Sequence, residues 1–164
     1  MFFRQRNYSD NQIAKLPRSI FVRNSQLKTL NLERNQIKEI DSYLLKGVRF
    51  LRNFYMSGNQ IVEVAKNAFT STTRMREIDL SNNSIVNVTS GTFNNLQWLD
   101  YVKLDNNKIE HVQTGAFQKM YRVVIDLSWN NISKIDKTAF RECQNISRLG
   151  RSMTFKSFKL KEWF

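Results

Sequence analysis

Apolar residues fall along this chain in a frame that returns every 24 positions. Leu27-x-x-Leu30-x-Leu32-x-x-Asn35-x-Ile37-x-x-Ile40 comes back as Leu51-x-x-Phe54-x-Met56-x-x-Asn59-x-Ile61-x-x-Val64. Two further copies begin at Met75 and at Leu99, and the second of these runs through Val102, Leu104, Asn107 and Ile109 to Val112. Asparagine stands at 11, 35, 59, 83, 107 and 130, so the last interval is one residue short. A fixed period of this length signals stacked supersecondary units, each burying its apolar edge against its neighbours. Within a unit, a stretch such as Leu30-Asn31-Leu32 alternates with the period of a strand. The pattern predicts short parallel strands near residues 29–33, 53–57, 77–81, 101–105 and 124–128, joined by loops or short 3₁₀ turns.

The recurring columns have separate physical tasks. Leucine positions point inward. The asparagine column sits where the chain leaves the strand, and its amide offers both donors and an acceptor to backbone groups that are costly to bury unpaired. Ten residues after each asparagine come Phe21, Leu45, Phe69, Phe93, Phe117 and Phe140, which predicts a ring stack on the opposite, wider side. Arg122 interrupts the fifth copy, and Val123 is the side chain expected to replace it by a local shift. At the front, Tyr8, Asn11, Ile13 and Leu16 read as the back half of a preceding unit, which Gln5 and Arg6 fit poorly.

Several columns recurring together, with alanine before phenylalanine at Ala68, Ala116 and Ala139, give a frame that resembles the leucine-rich repeat family in its extracellular 24-residue form. The Ala-Phe signature is similar to that of Toll, Slit and chaoptin-like receptors and adhesion proteins. The resemblance covers roughly residues 8–149. It implies an α/β fold: a right-handed solenoid with short parallel strands on the concave face and loops or 3₁₀ turns on the convex one. It also implies a protein-recognition module without enzymatic activity or cofactor. Residues 1–149 are read as the repeat domain and 150–164 as an irregular basic-aromatic tail, because the frame is lost after Leu149.

Compartment signals conflict. Five sequons, at Asn7, Asn82, Asn87, Asn131 and Asn145, exceed what the composition alone would give, and they suit a glycosylated surface outside the cell. Met1 to Arg6 has no long apolar segment of the secretory kind, and cysteine-rich caps are missing. An internal fragment of a larger secreted or membrane-attached protein reconciles these features; a cytoplasmic scaffold is the alternative. No run of apolar residues is long enough for a membrane span. The single cysteine, Cys143, shares a column with Val48, Thr72, Leu96 and Met120 and is expected to be a buried structural thiol. His111, the single histidine, is expected in a solvated loop and has no metal-ligand partner beside it.

Charge changes the picture most. The chain carries +12, which alone would predict a basic binding face. The register contradicts this. Outward strand positions give the rows Asn31, Tyr55, Asp79, Lys103, Asp126; Thr29, Asn53, Glu77, Tyr101, Val124; and Glu33, Ser57, Ser81, Asp105, Ser128. An acidic concave face follows, with Asn53, Tyr55, Glu77, Asp79, Tyr101, Lys103, Asp105 and Asp126 as candidate contacts for a protein ligand bearing a basic patch. Tyrosine on a rigid support suits such a contact. The positive charge is left to the ends and to flank residues such as Lys66, Lys108, Lys119, Lys134, Lys137 and Arg141. A glycan-binding matrix protein using that flank for a sulfated glycan is the second reading. Nucleic acid is not expected, because no interleaving of the basic residues with a platform of stacking aromatics is read from the sequence. No glycine-rich phosphate loop, metal-ligand cluster or nucleophile–base pair is present. Paired carboxylates such as Asp79 and Asp105 on an open sheet lack the seclusion that acid catalysis needs.

Overall fold

The structure, a computed structural model, describes residues 4–144. Six strands lie side by side in chain order in one parallel sheet: Gln5–Asn7, Thr29–Asn31, Asn53–Tyr55, Glu77–Asp79, Tyr101–Lys103 and Val124–Asp126. Their register is the sequence period made spatial: Thr29 pairs with Asn53, Asn53 with Glu77, and Glu77 with Tyr101. Tyr101 pairs with Val124, so the short interval is absorbed without breaking the sheet. Gln5 and Arg6, which fit the frame poorly, nevertheless pair with Thr29 and Leu30 and start a further turn.

The strands end two residues earlier than the alternation predicts. At the next positions the backbone turns left-handed, with positive φ at Asp10, Arg34, Gly58, Asn82, Asn106 and Trp129. Inter-turn bonding still continues there: the Arg34 N–H donates to the Ser57 carbonyl at 2.9 Å. The return path carries two-residue ladders at Glu39–Ile40 with Glu63–Val64, and at Asn87–Val88, His111–Val112 and Lys134–Ile135. A further pairing joins Phe93–Asn94 to Phe117–Gln118. Among the described residues there is no helix and no 3₁₀ turn, so the convex side is turns and short strands only.

The interior is a continuous apolar column. Leu30, Phe54, Ile78, Val102 and Ile125 from successive strands are all fully buried, each contributing on the order of 1.5–3 kcal/mol of transfer free energy. The ring stack forms as predicted: Phe69, Phe93, Phe117 and Phe140 follow one another at 5.5, 5.0 and 5.3 Å with nearly parallel planes. Leu45 interrupts it, and Phe54 packs edge-on against Phe69 instead. Val123 is fully buried where the frame calls for an apolar residue, while Arg122 swings out at φ 58°.

The asparagine column closes the polar account. The Asn83 amide donates to the carbonyls of Leu80 and Met56, on its own and the preceding turn, at 3.1 and 3.0 Å. Its Oδ1 accepts the Ile61 N–H at 3.0 Å. Asn35, Asn59, Asn107 and Asn130 repeat this arrangement. One side chain per turn thus pairs backbone groups that two neighbouring turns would otherwise bury unsatisfied.

Candidate functional site

The outward face of the six-stranded sheet holds the predicted contact residues, and the structure divides them into two groups. In the first, Asn53 donates to the Tyr55 hydroxyl at 3.2 Å, which donates to Glu77 at 3.1 Å. Lys103 bridges Glu77 at 2.7 Å and Asp79 at 3.2 Å. Asp79 is itself buried and accepts the Ser81 N–H and hydroxyl at 3.1 and 2.7 Å. Burial alone would lower the Lys103 pKa; the bonds and charges of its two acids outweigh it and hold the ammonium on. Burial and the Glu77 charge likewise raise the Tyr55 hydroxyl. Both acids of this half thus share one cation, which offsets one of their two charges.

The second group lies toward the last turns. Asp126 accepts the Ser128 N–H at 2.9 Å and its hydroxyl, with no cation beside it among the described residues. Among the described residues Asp105 has a single side-chain neighbour in bonding range, the Asn106 amide at 3.2 Å. Burial raises its pKa, and the charges of Asp126 and Asp79 add to the effect. The ring of Tyr101, on the same strand line, is 49 % exposed. Trp129, beside the Asn130 position, is 67 % exposed and held at φ 55°, a conformation that bulky side chains rarely adopt. Tyr101 shares its turn with Asp105, and Trp129 shares its turn with Asp126.

The other sequence candidates fall as follows. Asn7, Asn82, Asn87 and Asn131 are all exposed; Asn145 lies outside the described residues, as does the 150–164 tail. Cys143 is half-buried rather than buried, packed on the core with its Sγ 3.5 Å from the Phe117 carbonyl, and burial raises its pKa. His111 is not in a solvated loop. It is half-buried in a return-path strand and meets Asp136 at 2.9 Å, while Asp136 also accepts the Thr114 N–H and pairs with Lys134. The His111 bond first, then the Thr114 N–H, draws the Asp136 carboxyl well below the usual range. Among the described residues no group of three or more potential ligands is placed to hold a metal, and no helix is long and apolar enough to cross a membrane.

One feature of the flank was missed in the sequence. The residue before each of the first five strands of the sheet forms its own column, Arg4, Lys28, Arg52, Arg76 and Asp100, because from Lys28 on each backbone N–H donates to the carbonyl of the residue one turn earlier. Two residues further back lie Phe50, Arg74 and Trp98. The Arg74 guanidinium stands over the Phe50 ring at 5.0 Å and that of Arg76 over Trp98 at 5.3 Å. Basic and aromatic side chains do interleave here, contrary to expectation. Marking positions 50, 52, 74, 76 and 98 on the 24-residue register would have found the column.

Stacked parallel turns, an internal asparagine ladder and a phenylalanine stack define a repeat solenoid. A family model described as leucine rich repeat matches residues 9–61, 73–124 and 97–150, and the chain belongs to that family. Its fold is similar to that in the TLR13–ssRNA13 complex (19% identity, TM-score 0.75, covering 93% of this chain and 22% of that one). It is similar also to the leucine-rich repeat domain of APL1B (17%, TM-score 0.71, covering 90% and 46%). A third likeness is to the Toll–Spatzle complex of Drosophila (21%, TM-score 0.76, covering 89% and 20%). The chain therefore spans less than half the length of these structures. No curated protein matches it in sequence.

Proposed function

We propose that this chain is a protein-recognition module, binding rather than catalytic, whose outward sheet face takes a protein ligand with a basic patch. The observation that carries the reading is Asp105. Its carboxylate is half-buried, faces two like charges and has no cation beside it among the described residues. Such a group destabilises the free solenoid and is relieved by an incoming cation, which favours a charged partner. Tyr101 and Trp129 supply adjacent aromatic area of the kind that anchors interfaces. Tyr55, Asn53, Glu77, Asp79 and Lys103 act as the pre-organised floor. The structural neighbours include the Toll–Spatzle complex and a TLR13 complex with single-stranded RNA, and the acidic face favours protein here.

The four exposed sequons support a glycosylated setting at the cell surface or outside the cell, as part of a longer receptor or adhesion protein. The test is a screen of the purified chain against secreted and cell-surface ectodomains, followed by variants. Asp105→Lys should weaken the captured interaction by several kcal/mol, since like charges then oppose across the contact. Tyr101→Ala should weaken it too, while Lys108→Ser with Lys134→Ser should leave it intact. Indifference to Asp105→Lys together with loss in the lysine variants would place the ligand elsewhere.

A further inference from the structure

The lateral edge where the strands begin has a composition unlike the rest of the surface. Arg52, Arg74, Arg76 and Trp98 line an open depression of about 310 Å³. Three guanidinium groups line it, and among the described residues the one carboxylate in bonding range is Asp100, 3.4 Å from Arg76. Among the described residues neither Arg52 nor Arg74 pairs with an acid. Cations held together without counter-charges repel one another, so the arrangement is relieved by an anion. The column extends the charge toward the front through Lys28 and Arg4, one per turn, at the strand spacing of about 4.8 Å.

Trp98 is 57 % exposed. One of its faces carries the Arg76 guanidinium. Contact with the ring limits how that guanidinium can turn; one of its N–H donors meets Asp100, and a guanidinium fork suits an oxyanion.

We propose that this edge is a second binding site, distinct from the sheet face, for a sulfated glycan chain. Sulfate groups meet the Arg52, Arg74 and Arg76 guanidinium groups, and the C–H face of one sugar ring lies on Trp98. A linear polyanion matches the linear column Arg4–Lys28–Arg52–Arg76. Single-stranded nucleic acid matches it less well, because a base-stacking track needs successive open rings. Here the corresponding positions beside Lys28 and Arg52 hold Gln26 and Phe50, the latter beneath Arg74, and the exposed rings Trp98 and Tyr121 lie on the following turns, past the end of the cationic column.

The test is calorimetric titration of the whole chain with a heparin hexasaccharide, with its unsulfated counterpart and with a single-stranded oligonucleotide of equal charge. The heparin fragment should bind and the unsulfated one should not. The triple variant Arg52→Ser, Arg74→Ser, Arg76→Ser should lose about tenfold or more in affinity, with a shallower salt dependence. Removing the same charge by Lys108→Ser, Lys134→Ser, Lys137→Ser should change it less than about threefold, as expected for a dispersed, solvated flank. Trp98→Ala should weaken binding while leaving the salt slope as it was, a signature that charge alone does not give. Arg74→Glu, a single exposed change, repeats the test should the triple variant fail to fold. Equal losses from both triple variants, or unchanged affinity in Trp98→Ala and Arg74→Glu, would overturn the proposal. So would an oligonucleotide binding more tightly than heparin in a Trp98-dependent way.

Discussion

Asn83 shows how much one side chain does in this architecture. Its amide is bonded to Met56, Leu80, Ser81 and Ile61, so it serves two turns at once. Replacing it by alanine leaves several buried backbone groups unpaired and should cost about 1–3 kcal/mol in chemical unfolding; an unchanged midpoint would show that water substitutes freely. Asp105 should behave in the opposite sense. A carboxyl whose folded pKa lies above its unfolded one lowers stability once pH rises through the folded value. Asp105→Asn should therefore raise the melting temperature at neutral pH, with the gain fading as pH falls below the ordinary carboxylate range. A gain that persisted in acid would mean that packing, not charge, was responsible. Asp136 has the reverse sign, since its folded pKa is depressed. Its contribution is present above the unfolded pKa and is lost as pH falls through the folded one. Asp136→Asn should accordingly destabilise at neutral pH and converge with the unaltered protein in strong acid, as followed by thermal melts across pH.

Turns are the elements here, and what the sequence made legible about them depends on periodicity. Positions inside the 24-residue frame were readable because each is constrained by burial: Leu30, Phe54 and Ile78, the asparagine ladder, the Phe69 to Phe140 stack, and even the repair by Val123. Positions outside the frame were not. Arg52, Arg74, Arg76 and Trp98 carry no hydrophobic period, and a charge tally dissolves them into a basic total. Nor can periodicity say which acids on the sheet face find a cation. That Lys103 takes Glu77 and Asp79, leaving Asp105, depends on side-chain reach between strands. His111 was misplaced because its partner, Asp136, lies on the next turn. Glycine marks one tight passage between turns. Gly47 has φ 87°, and a Cβ there would lie 2.7 Å from the Val22 carbonyl oxygen. Gly47→Ala combines backbone strain with a clash against main chain and should lower stability by about 1–3 kcal/mol. A melting temperature equal to that of the unaltered chain would show that the turn yields.

At the scale of the whole molecule, the strand contacts of the described residues run between adjacent turns, so stability should be distributed along one dimension. A central turn is held from both sides, and an end turn from one. The front turn is the weaker end by composition as well. Arg6 occupies the strand position that elsewhere bears a buried core side chain, and Asn11, first in the ladder, is exposed and, among the described residues, bonds within its own turn. Amide exchange should therefore be slowest at Phe54, Ile78 and Val102 and fastest around Tyr8 and Asn11, with opening free energies falling steadily toward the front. A substitution such as Ile78→Ala, which empties fully buried space, should cost about 2–5 kcal/mol. It should also uncouple the two halves, so that turns on either side exchange with different protection. If all amides instead kept one common protection and lost it together, the chain would be folding as a single cooperative unit, and the one-dimensional account would fail.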